Sequence, residues 1–336
     1  MSHFNRGEFV AGLAALGAGA LGGVAGAAVA APARIINIHG HQFPAAYLAA
    51  VRAHDQLAPK PTTVALAIED MDRAGIAMSM LSIPTPVWFG DAAEARRVAR
   101  QCNEETAAIV AANPKRFGFF ATLPLPDVEG SLREIEYALD TLKADGVATV
   151  ASYGSKWLGD PAFRPMYDEL NRRKALVYTH PFVPDCCGST VPGINPTMIE
   201  LGTDTTRTMV SLLFNGVASR ASDTRMVFSH AGGTMTSLVD RFTYEARNPK
   251  VAANLPNGVL YELQRFFYDT AQAGSAAPMT ALAKVVPVSQ IMYGSDFPFR
   301  DSLEQLNTLT HNGVFNERDI RAIEYGNIVR LIPRLR

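Results

Sequence analysis

Two imidazoles one residue apart, His39 and His41, close the run "RIINIHGHQFP" (34–44). Other short apolar runs end the same way: His180 in "LVYTHP" (176–181), His230 in "RMVFSHAGG" (225–233) and Asp296 in "QIMYGSDFP" (290–298). Imidazole and carboxylate bind Zn²⁺, and they also suit Mn²⁺ or Fe²⁺. Three imidazoles and one carboxylate around one ion would leave a position open for water or substrate. The same groups carry protons near neutral pH. A single buried histidine would read as a hydrogen-bonded core residue. Four of the chain's seven, all at the ends of apolar runs, point instead to one metal site. Asp269 in "RFFYDTA" (265–271) fits either a contact behind that site or a buried hydrogen bond.

These residues need elements that bring them together. Side chains alternate along a strand, so His39 and His41 share one face. Eight apolar runs of strand length follow residue 33, at 34–41, 76–84, 116–124, 146–153, 176–181, 225–233, 265–271 and 290–298. Most end in Gly, Pro or Ser, which break regular structure. Helical patterns lie between most of them. The stretch 91–113 opens with Asp91, a capping residue, and 160–175 opens with Asp160 then Pro161. The stretch 131–143 sets Leu132, Ile135, Leu139 and Leu142 on one face, and Ser131 with Glu134 predicts a capping box. Helical patterns at 301–309 and 316–332 close the chain. Strand then helix, eight times over, predicts an α/β fold, a single-domain (β/α)₈ TIM barrel over residues 34–336. Such barrels carry their sites at the C-terminal ends of the strands, which gathers the four histidines and both aspartates on one rim. No Gly-rich phosphate fingerprint follows the first strand, which disfavours a dinucleotide-binding open sheet.

Composition sets the outer bounds. The chain is 48% hydrophobic and 19% charged with a formal net charge of −1, so a large core is expected and no basic field invites nucleic acid. Three cysteines give no disulfide framework and no C-x-x-C pair. Cys102 reads as a buried residue of a helix. Cys186 and Cys187 read as two free thiols in a loop, with a vicinal disulfide as the rarer alternative. Residues 1–33 form an expected export leader, with Arg6, an apolar stretch from Phe9 to Ala30 and small-x-small sites after it. "NRGEFV" (5–10) lacks the second arginine of a twin-arginine signal, having Gly7 there. The expected location is periplasmic or exported, with the cytoplasm as the alternative. Phe43, Trp88, Phe89, Trp157, Phe182, Phe297 and Phe299 follow predicted strands on the site side and would wall an apolar pocket for an aromatic ring. Arg207 and Arg300 could pair with a substrate carboxylate. The stretch from Phe182 to Gly202 is expected to fold over the pocket as a loop.

"NIHGHQFP", "YTHPF", "FSHAGG" and "YGSDFPF" together resemble the motifs of the amidohydrolase superfamily, in its metal-dependent decarboxylase branch. That branch includes aminocarboxymuconate-semialdehyde and γ-resorcylate decarboxylases. The segments 151–181 and 205–233 look closest to 6-methylsalicylate decarboxylase-like members, and the resemblance spans about residues 34–332. It implies metal ligands at His39, His41, His180 and Asp296, and an acid/base group at His230. It implies one divalent ion, with Zn²⁺ expected ahead of Mn²⁺, a homodimer, and a small aromatic carboxylic acid of the salicylate type as substrate. Phe43, Trp88, Phe182, Arg207 and Phe297 are the candidate substrate contacts. The fourth strand ends "ATVASYGSK" with no lysine placed to be carbamylated, since Lys156 lies in the following loop, and this disfavours a two-metal site. Gly40 departs from the Thr or Ser common between the paired histidines. Asp296 could deliver a proton to the ring carbon with His230 assisting, or His230 could activate water. A metal-dependent hydrolase of a lactone or amide would need nearly the same groups. A non-catalytic binding barrel would hold a ligand without turnover.

Overall fold

The computed structural model describes residues 34–56, 58–59, 62–188 and 191–336. The leader expected over residues 1–33 lies outside them. Eight strands form one sheet in sequence order: β1 (Ile35–His41), β2 (Ile76–Ser82), β3 (Phe117–Thr122), β4 (Gly146–Val150), β5 (Leu176–His180), β6 (Arg225–Phe228), β7 (Phe267–Asp269) and β8 (Ile291–Met292). Every pairing between neighbours is parallel. The sheet closes on itself just beyond β8. Ile38 N–H donates to the Tyr293 carbonyl at 3.0 Å, Asp296 N–H to that of His39 at 2.9 Å, and His41 N–H to that of Phe297 at 2.8 Å. All eight predicted strands are present, and the barrel is the predicted one.

Alternate side chains of the strands enter different clusters, as the two-residue repeat of a strand requires. Phe117, Phe119 and Ala121 of β3 join the large cluster shared with the helices, which includes Ile135, Leu170, Leu213 and Leu282. Phe120 joins a second cluster, with Ile36, Met80, Tyr178 and Met292, that takes in the terminal residues Ile328, Leu331 and Leu335.

The helices follow their caps. Asp91 accepts from Glu94 N–H at the head of the helix Ala92–Ala112, and Asp160 accepts from Ala162 N–H ahead of Arg164–Arg172. The capping box expected at Ser131 and Glu134 is corrected. The helix Val128–Glu136 starts three residues earlier, capped by Asp127, whose carboxylate accepts from Gly130 N–H. Ser131 is buried within it, and Glu134 takes Arg100 and Asn103 as partners across the neighbouring helix. A short antiparallel hairpin, Ser152–Tyr153 with Lys156–Trp157, follows β4 at the site end. The loop after β5 is shorter than expected, because the helix Thr197–Phe214 begins before Gly202.

Candidate metal centre and active site

The two histidines close β1, with glycine between them where the neighbouring strand leaves little room. A Cβ on Gly40 would collide with Ser79 Oγ of β2, and it would lie 3.1 Å from the Met80 carbonyl oxygen. The close β1–β2 approach therefore accounts for the residue that departs from the common pattern. His39 is fully buried. Its Nδ1 meets Asp269 Oδ2 at 2.9 Å, and its Nε2 lies 2.9 Å from His41 Nε2 and 3.2 Å from Asp296 Oδ1. His41 has Nδ1 on Ser82 Oγ at 3.1 Å and Nε2 at 3.0 Å from Asp296 Oδ1. His180 Nδ1 donates to the Pro181 carbonyl at 2.8 Å, which leaves Nε2 as the bare nitrogen; that atom is buried without a hydrogen-bond partner. The other nitrogen of each ring is thus anchored, and Nε2 turns to a common point.

His230 comes from just past β6. Its Nε2 lies 3.4 Å from Asp296 Oδ2, the oxygen that His39 and His41 do not face, and its Nδ1 is buried without a partner. His230 and Asp296 both have left-handed backbones, with φ of 54° and 66°. Side chains other than glycine rarely adopt that region unless the surroundings hold them there, and such residues gather at functional sites. Ligand atoms of His39, His180, His230 and Asp296 all lie within 4.8 Å of one another. His41 touches two members of that group, so the predicted residues His39, His41, His180, His230 and Asp296 are brought together. Orphaned His180 Nε2 and the crowding of imidazole nitrogens around one carboxylate oxygen fit a divalent cation, since no group among the described residues satisfies that nitrogen.

Charge explains the electrostatics. Burial works against the His39 imidazolium, but Asp269 and Asp296 outweigh it and push His39 up to about 10. Burial, with the neighbouring imidazoles, holds His180 well below its ordinary value. Burial also lowers His41, against the opposing hydrogen bond of Asp296. Burial would raise Asp296, yet His39 and the hydrogen bonds from the imidazoles hold it well below the usual carboxylate range.

Asp269, left open by the sequence, is an orienting residue. It accepts from His39 Nδ1 at 2.9 Å, and from Tyr178 Oη, His230 N–H and Ala271 N–H at 3.0 Å each. Its four donors leave it occupied behind the imidazoles, as partners behind a metal-binding histidine commonly are. Sequence reasoning missed Tyr178 and also Asn37. The Asn37 carbonyl oxygen accepts from His39 N–H and Ser295 N–H, and its amide donates to Ser79 and Ser295 hydroxyls. A signal existed: Asn37 is polar in an apolar strand and in step with His39 and His41.

A cavity of about 810 Å³ opens at this end, walled by Phe43, Tyr47, Trp88, Phe182 and Phe299, with the hairpin along one side. Phe299 also meets the His41 ring edge-on at 5.7 Å, which ties the cavity to the cluster. Phe297 lines a neighbouring depression with Phe43 and Phe299. The other expectations change. Arg207 donates its guanidinium to Glu200 on the same helix at 2.8 Å and does not line this cavity. Phe89 stacks on His54. Trp157 Nε1 donates to Asp204 at 2.7 Å. Fully buried Asp204 also takes Ser152 Oγ and Phe182 N–H, joining the hairpin to the loop after β5. Arg300 donates to the adjacent Phe299 carbonyl. Cys186 and Cys187 are paired as a vicinal disulfide, which corrects the reading of two free thiols.

With this geometry in place, likeness to known proteins acquires a physical meaning. A family model described as amidohydrolase matches residues 36–334. A 6-methylsalicylic acid decarboxylase of Aspergillus aculeatus is 33% identical over 325 residues, covering 90% of this chain and 96% of that protein. The enzyme of the same name from Penicillium expansum is 31% identical and covers 90% of this chain and 97% of its own. Among solved structures, dihydroxybenzoic acid decarboxylase from Polaromonas sp. JS666, with bound manganese and the inhibitor 2-nitroresorcinol, shares the fold. Its TM-score is 0.79 at 19% identity, over 90% of this chain and 98% of that one.

Proposed function

We infer the reaction from one premise, that this chain belongs to the amidohydrolase family. It is a metal-dependent decarboxylase of a salicylate-type hydroxybenzoate. The reading rests on one observation above all: decarboxylases of 6-methylsalicylic acid match nearly the whole chain, and the residues that could do this chemistry converge at one rim.

His39, His41, His180 and Asp296 would hold a divalent ion. His230 stands beside it, because its Nε2 faces the other oxygen of Asp296 and it is the more exposed of the paired imidazoles. Zn²⁺ is the ion we assign, since imidazoles dominate the donor set; the manganese of the Polaromonas enzyme is the competing assignment. Such an ion would supply Lewis acidity for an acidic, oxygen-bearing substrate. Asp269 holds the His39 ring in place, and Ser82 holds His41. Phe43, Phe182 and Phe299 pack the ring and keep water off it. The bond from ring carbon to carboxylate breaks, its electron pair stays on the ring, and carbon dioxide leaves. Asp296, ionised at rest, first takes the proton of the substrate's ortho hydroxyl on Oδ2 and then passes it to the ring carbon, and His230 brings a proton from solvent to the product's ortho oxygen.

Export of the chain belongs to the same proposal. A disulfide at Cys186–Cys187 suits an oxidising compartment, in keeping with an apolar leader. Purified enzyme should contain zinc and release carbon dioxide from 6-methylsalicylate or another ortho-hydroxybenzoate. Hydrolysis of lactones or amides with no carbon dioxide release would overturn the reaction; manganese in place of zinc would overturn the ion alone.

A further inference from the structure

At the rim, Gln272 is a polar side chain that touches the site and that the proposed chemistry leaves unused. Gln272 lies three residues past the end of β7, exposed, with its backbone at φ 53°. Something must hold a non-glycine residue there. Its N–H donates at 2.8 Å to Oε1 of Gln305, on the helix Ser302–Thr310. So anchored, Gln272 aims its side-chain amide inward and donates to Asp296 Oδ2.

This splits the two oxygens of Asp296 between different neighbours. Oδ1 faces His39 Nε2 at 3.2 Å and His41 Nε2 at 3.0 Å. Oδ2 faces the Gln272 amide and His230 Nε2. The last torsion of an aspartate is broad, and the imidazoles that face both oxygens are chemically alike, so they alone distinguish the two oxygens weakly. A donor fixed on one oxygen suppresses that freedom.

We propose that Gln272 is a positioning residue for the decarboxylation: its amide sets the rotation of the Asp296 carboxylate, keeping Oδ1 with the imidazoles and Oδ2 toward the incoming ring. The proposal rests on the reading given under Proposed function. The transfer it assists is the one described there, a proton from Asp296 Oδ2 to the ring carbon as the carbon–carbon bond breaks and carbon dioxide departs. Gln272 gives up no proton and touches no reacting atom. It acts through Asp296.

The test uses metal-loaded Gln272→Ala and Gln272→Glu beside the parent enzyme. Four quantities are read: kcat, KM, metal content, and exchange of the ring hydrogen of the decarboxylated product in D₂O. Exchange isolates proton transfer at carbon from loss of carbon dioxide. Gln272→Ala should lower kcat and the exchange rate together by about 10- to 100-fold, with KM and metal content within about twofold of the parent. Gln272→Glu keeps the length and shape but not the donor, and it should be at least as slow. Unchanged kcat in Gln272→Ala, a rise confined to KM, loss of metal, or restoration by Glu would each overturn the proposal while the parent still turns over. A parent enzyme with neither carbon dioxide release nor exchange would overturn the decarboxylase reading, and this inference with it.

Discussion

His39 lies between two carboxylates, and its proton decides how the cluster behaves without metal. Burial opposes the charge, but Asp269 and Asp296 outweigh it, so that His39 keeps its proton up to about pH 10 against an ordinary 6.5. An ion must displace that proton. Metal affinity should therefore rise with pH across this interval, with about one proton released per ion at neutral pH. Calorimetry in two buffers of different ionisation enthalpy counts the protons; none released would mean that His39 is not a ligand. The same shift sets stability without metal. A raised folded value stabilises fully below pH 6.5 and loses its contribution as pH climbs to about 10. The metal-free chain should melt at a lower temperature at pH 9.5 than at pH 7, by a margin that metal loading abolishes. Much of this residue-level picture is legible in the sequence. His39, His41, His180, His230 and Asp296 announce themselves by type and by place at strand ends. Gln272 and Tyr178 do not, because their roles depend on where a side chain ends after the backbone has turned. Arg207 misleads for a related reason: a guanidinium finds whichever carboxylate lies nearest, and Glu200 is seven positions back on the same helix.

Between elements, the site depends on close backbone approach. Gly294 follows β8, and a Cβ there would stand 2.9 Å from His39 Cβ and 3.0 Å from Asp269 Cβ. Neither neighbour can yield, since both atoms sit next to the backbone of other strands. Gly294→Ala replaces no proposed ligand, yet it should weaken metal binding by about tenfold or more by pushing against His39 and Asp269. Metal content after dialysis measures this, and an unchanged ion would show that β1 and β7 can part. Away from the site, Asp127 joins two helices: it caps Val128–Glu136 and pairs with Arg96 of the helix before it. Asp127→Ala should cost about 1–2 kcal/mol, nearly all from the cap, because the half-exposed arginine adds little. Urea unfolding with kcat measured in parallel checks it, and a loss of activity larger than the loss of fold would contradict a purely structural role. Strand runs and the caps Asp91 and Asp160 are visible in sequence because apolar periodicity and local hydrogen bonding are short-range. The cap at Asp127 was concealed by Ser131 and Glu134, which satisfy the same spacing; the choice was made by Arg96 and Arg100 of another helix, through ion pairs that span 31 and 34 residues.

Across the whole molecule, the proposed ligands come from β1, β5 and the turn after β8, and the seam of the barrel runs between the first and last of these. Strand order followed from the sequence because each unit joins the next, but closure depends on contacts such as Asn37 with Ser295, whose |i−j| of 258 no local pattern encodes. An ion bound by His39, His41, His180 and Asp296 ties that seam and the far wall together in the native state alone. Ligand that binds only the native state stabilises it in proportion to the logarithm of its saturation, about 4 kcal/mol at a thousandfold excess over Kd. For a domain of this size that amounts to a rise in melting temperature of roughly 5–15 °C. Thermal melts with zinc, after a chelator, and with zinc restored should show the rise, its loss and its return. Asp296→Asn removes the proposed ligand at the seam and should shrink the increment, read against the variant's own chelated sample because Asp296 also faces buried His39. A melting temperature indifferent to metal would place the ion away from the seam and undo the assignment of these four ligands.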